Sequence, residues 1–266
     1  MSHFTVGVII KESEILEKEK ELISRSREDI ITSLVEEAME PFCETYEVEP
    51  YLEMTNEELQ EELDSVINYE GDQEWHLKMK EKYKDASLKE FCEEYLGYTY
   101  EEDGAYSTVN PDGKWDWYVI GGRWNNTLPI KNKTIVENAD YNGYEDNLKD
   151  NMCKIKDLQL TKRFTREETE ELRKQYNEKI TVGDMYKPEY YLEKYPTFGH
   201  YVDYCGSYST YSILTGDGQW IEPGEMGSFG LSSASPEQER SFHQVFRECI
   251  NKQRPEDYFI LVDCHV

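Results

Sequence analysis

The chain has 266 residues, 56 of them acidic and 29 basic, for a formal charge of −27. That length supplies a sizeable core for one large domain or two small ones. The charge excludes general nucleic-acid binding, which needs clustered Lys and Arg to neutralise phosphates; it suits a highly soluble protein, or one whose surface imitates the charge of DNA.

The acid is uneven. Residues 1–103 hold 30 acidic and 10 basic residues, a balance of −20, which leaves −7 for the other 163. No apolar run reaches 18 residues, so no membrane span is expected. "MSHFTVGVIIKESE" has no basic lead and no small-residue cleavage site, so no signal peptide is read there. The six cysteines are scattered without a CxxC pair and are read as reduced thiols; their spacing supports neither a disulfide framework nor a zinc site.

In chain order, "HFTVGVII" alternates as a β-strand, with Phe4, Val6, Val8 and Ile10 on one face and His3, Thr5, Gly7 and Ile9 on the other. Residues 11–40 are charged and helix-favouring, with Ile30, Ile31, Leu34, Val35 and Ala38 at helical spacing. Capping boxes at Thr55/Glu58 and Ser87/Glu90 predict helices over 55–67 and 87–96. Between them "YEGDQEWHLKMKEKY" reads as a helix that turns Trp75 and Leu77 inward. A Pro111-Asp112-Gly113 turn leads into a strand over Trp115–Ile120, which Gly121-Gly122 breaks as a bulge or a close backbone approach. Residues 125–163 read as a polar loop region with short elements, followed by a surface helix capped by Thr165/Glu168. "YSTYSILTGDGQWIE" is a hairpin around Gly-Asp-Gly. The helix opened by Ser235-Pro236, with Gln238 completing its box, carries an apolar stripe of Phe242, Val245, Phe246, Cys249 and Ile250. "YFILVDCHV" is the last strand. The expectation is one α+β domain over 1–266. Its antiparallel or mixed sheet includes both terminal strands, its helices lie on one face, and an acidic helical insertion occupies about 12–100.

The last strand mirrors the first. Tyr258, Ile260, Val262, Cys264 and Val266 share one face, and Phe259, Leu261, Asp263 and His265 share the other. If the two strands are neighbours, His3, Thr5, Asp263 and His265 meet. A carboxylate can then orient an imidazole, and two imidazoles can act as base and acid. The His-x-Thr spacing resembles the motif of two-histidine phosphoesterases, although here the second copy lacks its Thr. The plain alternative is a pair of polar residues at strand ends. No three-ligand spacing supports a metal site.

In "NPDGKWDWYVIGGRW", strict alternation puts Trp115, Trp117, Val119 and Arg123 on one face and Asp116, Tyr118, Ile120 and Trp124 on the other; a bulge would shift the last two. Indole and guanidinium planes can sandwich a flat ring. Gly121 and Gly122 would let a ligand approach the backbone or donate amides to a phosphate. The candidate ligand-binding set is therefore Trp115, Trp117, Gly121, Gly122, Arg123 and Trp124, with core packing of the tryptophans as the alternative. No Ser/His/Asp or Cys/His nucleophile set can be assembled, and Cys264 falls on an apolar face.

The segments "SHFTV", "NPDGKWDWYVIGGRW", "DGQWIEPGEMG" and "VDCHV" resemble a group of conserved tailed-bacteriophage proteins of unknown function. That resemblance implies an accessory protein in the host cell cytoplasm, with counter-defence as its role by analogy. Three functions follow as expectations. One is a binding module for a small polar, nucleotide-type ligand. Another is a phosphodiesterase-type hydrolase using His3 and His265. The last is an acidic DNA mimic that occupies a host defence protein. No membrane or direct nucleic-acid partner is expected, and the sequence names no cofactor.

Overall fold

Alternation in "HFTVGVII" becomes an eight-residue strand, β1 (His3–Ile10), in the computed structural model, which describes residues 2–133, 141–227 and 230–266. The elements that follow are α1 (Glu12–Glu21), α2 (Arg27–Met39), β2 (Tyr51–Thr55), α3 (Asn56–Ile67), α4 (Glu74–Tyr83), α5 (Leu88–Phe91), β3 (Thr99–Glu101) and β4 (Gly104–Ser107). Then come β5 (Trp117–Ile120), β6 (Met152–Lys154), α6 (Arg166–Thr181), α7 (Pro188–Lys194), α8 (Phe198–Cys205), β7 (Ser212–Leu214), β8 (Trp220–Ile221), α9 (Pro236–Lys252) and β9 (Tyr258–His265).

The fold is α+β, and its mixed sheet includes both terminal strands. β1 and β9 pair antiparallel over their whole length, with His3 opposite His265 and Thr5 opposite Asp263. The far edge of β9 carries β5, which sets Trp117 opposite His265 and Val119 opposite Asp263, and farther along carries β6. β1 runs parallel to β7, and β8 closes that side.

Helices cover both faces of this sheet rather than one. Phe4, Val6, Val8 and Ile10 pack with Ile30, Ile31, Leu34 and Val35 of α2, while Ile9, Phe259 and Leu261 pack with Phe242, Phe246, Cys249 and Ile250 of α9. Each large side chain buried this way contributes about 1.5–3 kcal/mol. A run that is apolar on both faces is what a doubly covered strand requires.

The chain divides into two compact units, residues 1–43 with 114–266, and residues 44–113. The acidic insertion is thus narrower than 12–100, because α1 and α2 supply Ile15, Ile30 and Val35 to the core of the main sheet. The 44–113 unit has its own antiparallel sheet, ordered β2-β4-β3, and a core of Leu59, Leu63, Tyr83, Phe91 and Cys92. Its helices begin at the expected boxes, where Thr55 and Ser87 each accept an N–H from the residue three further on. On α4, Trp75 and Leu77 are exposed, and Tyr83 is the residue turned inward.

The polar stretch 125–163 contains β6, and part of it, residues 134–140, lies outside the described residues. The helix read as a surface element, α6, buries Tyr176 in a cluster with Tyr191, Tyr195 and Tyr201. Among the described residues no helix is long and apolar enough to cross a membrane.

Candidate functional site

Sheet register builds the site. His3, His265 and Trp117 form one row across three strands at the end where β1 begins and β9 finishes. The His3 and His265 rings meet edge to face, with centroids 5.1 Å apart. Trp117 stacks on His265 at 4.9 Å and meets His3 edge-on at 5.3 Å. Beside this row lies a cavity of about 660 Å³ whose lining includes His3, His265, Trp117, Arg123, Tyr141 and Tyr144.

Each imidazole is held by its own carboxylate. His3 Nδ1 donates to Asp263 Oδ1 at 2.8 Å, and His265 Nδ1 donates to Asp116 Oδ1 at 2.7 Å. A carboxylate on Nδ1 fixes the ring orientation and makes Nε2 the nitrogen left for chemistry. Both imidazoles are more than nine-tenths buried, with side-chain exposures of 8% for His3 and 7% for His265. The Nε2 of His265 is buried without a hydrogen-bond partner among the described residues. An orphaned polar atom of this kind costs about 1–3 kcal/mol until a water or ligand reaches it.

Asp263 is 1% exposed, and both of its oxygens are engaged. Oδ2 accepts the backbone N–H of Arg123 at 2.8 Å. Gly122 makes that contact possible: its φ is +51°, and a Cβ there would lie 2.3 Å from Asp263 Oδ2. Gly121, at φ +89°, brings the chain equally close to Asn151. Gly122 therefore serves a close approach to the buried carboxylate, and Gly121 one to the Asn151 amide. The amide of Gly121 donates to Leu261 O and that of Arg123 to Asp263, which leaves neither of them to cradle a phosphate.

The structure separates the residues nominated from sequence. His3, His265, Trp117 and Arg123 come together at the cavity. Asp263 stands behind it as the partner of His3 rather than of His265. Thr5 neighbours Asp263 in register, but its hydroxyl accepts the backbone N–H of Tyr211. Trp115 does not join the cavity; it packs in the core with Phe4 and Ile120 and meets Tyr118 edge-on. The regular strand starts only at Trp117, so the alternation that put Trp115 beside Trp117 does not extend back to it. Trp124 turns to the α9 side of the sheet instead.

Sequence reasoning missed Asp116, Tyr141 and Tyr144. Asp116 immediately precedes the regular strand, where strict alternation sends it to the wrong face, yet its backbone N–H already donates to His265 O. Tyr141 and Tyr144 are exposed on a loop with no periodic signal. Arg123 is exposed, and its guanidinium forms no ion pair among the described residues, although acids outnumber bases almost two to one. Among the described residues no group of three His, Cys, Asp or Glu side chains gathers to hold a metal ion.

The arrangement offers two oriented imidazoles, a guanidinium with no ion pair among the described residues, and aromatic rings that include Trp117, Tyr141 and Tyr144. No protein-family model, curated protein or solved structure matches this chain.

Proposed function

We propose that this cavity binds a small nucleotide-type phosphoester and that His3 and His265 act on it as base and acid. The observation that carries the reading is the pair of carboxylate-held imidazoles side by side at one cavity. Mere packing does not call for two buried imidazoles each hydrogen-bonded to its own carboxylate. Arg123 meets the phosphate, and Trp117, Tyr141 and Tyr144 offer π faces to the base.

In the hydrolytic step, one Nε2 takes a proton from an attacking water as the new P–O bond forms. The other imidazole, protonated at the outset, gives its proton to the leaving oxygen as the old P–O bond breaks. Proton count and charge balance, and no further reagent is consumed. Asp263 and Asp116 hold the rings and touch no reacting atom.

The test is a panel of linear and cyclic nucleotides, followed by calorimetry and by chromatography of products. Binding should weaken in Arg123→Ala, and product should disappear in His3→Ala. Absence of both binding and product across the panel would overturn the proposal, as would full activity in His3→Ala. Binding without product would reduce the function to ligand capture. In the host cytoplasm, that is the counter-defence role consistent with the resemblance to phage proteins.

A second reading, the DNA mimic, has one observation in its favour. Residues 44–113 form a compact unit carrying 21 acidic and 5 basic residues, a net −16. This reading predicts salt-sensitive binding to a basic host protein that survives His3→Ala and Arg123→Ala. Binding that ignores salt would remove it.

A further inference from the structure

A second cavity, of about 650 Å³, shares no lining residue with the first. Its lining includes Tyr190, Tyr204, Tyr211, Ser209, Glu239 and His243. Ser209 lies on the segment between α8 and β7, and His243 faces it from the second turn of α9. Ser209 Oγ is 3.1 Å from His243 Nδ1, within the range of a nucleophile–base hydrogen bond. Tyr204 meets the imidazole edge-on at 4.6 Å and fixes its plane.

Two further features suit nucleophilic chemistry. The backbone N–H groups of Ser209 and Thr210 donate to no acceptor among the described residues, and both residues line the cavity. A nucleophile whose own amide and following amide are unspent carries the donors that an oxyanion needs. Burial, with Lys194 and Arg247 nearby, lowers His243 to about 4, so at pH 7 the ring is neutral and its Nδ1 can accept the Ser209 hydroxyl. Of these nearby charges, Lys194 pairs with Glu239, which also accepts from the Tyr190 hydroxyl, and Arg247 is not among the lining residues. No unpaired cation is aimed into this cavity among the described residues, so it suits an uncharged substrate. Tyr211, Met226, Leu231 and Phe242 supply apolar surface.

We infer that Ser209 and His243 form a second reactive site, in which Ser209 is an acyl-accepting nucleophile toward carboxylic esters with an aromatic or apolar acyl group. Ser209 Oγ bonds to the carbonyl carbon as its proton passes to His243 Nδ1. The tetrahedral oxyanion then collapses, the bond to the alcohol oxygen breaks, and His243 returns the proton to that alcohol. Water next attacks the acyl-serine, with His243 taking and returning one proton, and releases the acid.

A fluorophosphonate probe tests this on the full-length protein, because it traps an activated serine with loss of fluoride. Mass spectrometry should find one adduct, on Ser209, that is absent in Ser209→Ala. His243→Gln keeps a polar group beside Ser209 without its basicity, and should slow labelling by roughly 10²-fold or more. Release of 4-nitrophenol from a 4-nitrophenyl ester should fall in parallel. No adduct on the wild-type protein, an adduct elsewhere, or equal labelling in His243→Gln would each overturn the inference.

Discussion

The two cavities use histidine in opposite ways. At the first, each imidazole presents Nδ1 to a carboxylate, and a guanidinium with no ion pair among the described residues stands at the same cavity. At the second, Nδ1 faces a serine hydroxyl, and the neighbouring Lys194 is already paired with Glu239. The scaffolds differ as well. His3 and His265 are fixed by the register of two long paired strands, whereas His243 is held on a helix against a loop. The difference teaches what each cavity can accept. An exposed guanidinium with two carboxylate-held rings suits a phosphoester, and a neutral imidazole beside a hydroxyl suits an uncharged acyl compound.

The largest effect should come from deleting either ring of the first site. His3→Ala or His265→Ala should cut nucleotide turnover roughly 10²–10⁴-fold, the usual weight of a general acid or base. Fluorophosphonate labelling of Ser209 should remain within about two-fold in the same variants. If both readouts fell together, the two cavities would be one functional unit and the contrast would fail.

How far the sequence reaches depends on what fixes each contact. The His3/His265 row was readable, because period-2 alternation plus one assumption, that the end strands pair, sets every partner. Asp116 and Trp115 were misassigned for a single reason: both precede the regular strand, where alternation carries no information. Helix starts at Thr55, Ser87, Thr165 and Ser235 were legible because capping is local. The short strands β2, β3 and β4 were not, since three to five residues in a charged stretch gain strand character only from their partners. Ser209 and His243 lie 34 residues apart with no periodic link, so only tertiary packing brings them together.

Smaller effects sharpen the first site. Asp263→Asn keeps the shape but replaces the acceptor shared by His3 and the Arg123 amide. Turnover should drop by roughly 10²-fold with KM little changed, because orientation rather than binding is lost. Stability should fall by about 1–3 kcal/mol, since one buried donor loses its partner. A rise in KM with unchanged kcat would instead place Asp263 in ligand binding. Arg123→Ala should do the reverse. A charged hydrogen bond to phosphate contributes about 1.5–3 kcal/mol, so affinity should weaken roughly 10–100-fold. Stability should stay within about 0.5 kcal/mol, as expected for an exposed side chain with no ion pair among the described residues. Unchanged affinity would remove the phosphate from the proposal.

The smallest effect belongs to the second cavity and reads its imidazole through pH. His243 titrates near 6.5 in the unfolded chain and is lowered to about 4 in the folded protein, first by burial and then by Lys194 and Arg247. Between those values the unfolded state binds the proton and the folded state does not. Stability therefore falls as the pH drops from about 6.5 to 4, by at most about 3 kcal/mol and by less once partial solvent access is counted. Glu239 also lines this cavity, but it is engaged by Lys194 and Tyr190 and does not reverse that sign. His243→Gln has no proton to take up, so its melting temperature should fall less steeply across this window than that of the wild-type protein, by a few degrees. The many carboxylates titrate in both proteins, and the difference between the two curves isolates the ring. Superimposable curves would mean that His243 takes up its proton over the same pH range folded and unfolded. That would remove the buried, low-pKa character of the second cavity's imidazole from the comparison.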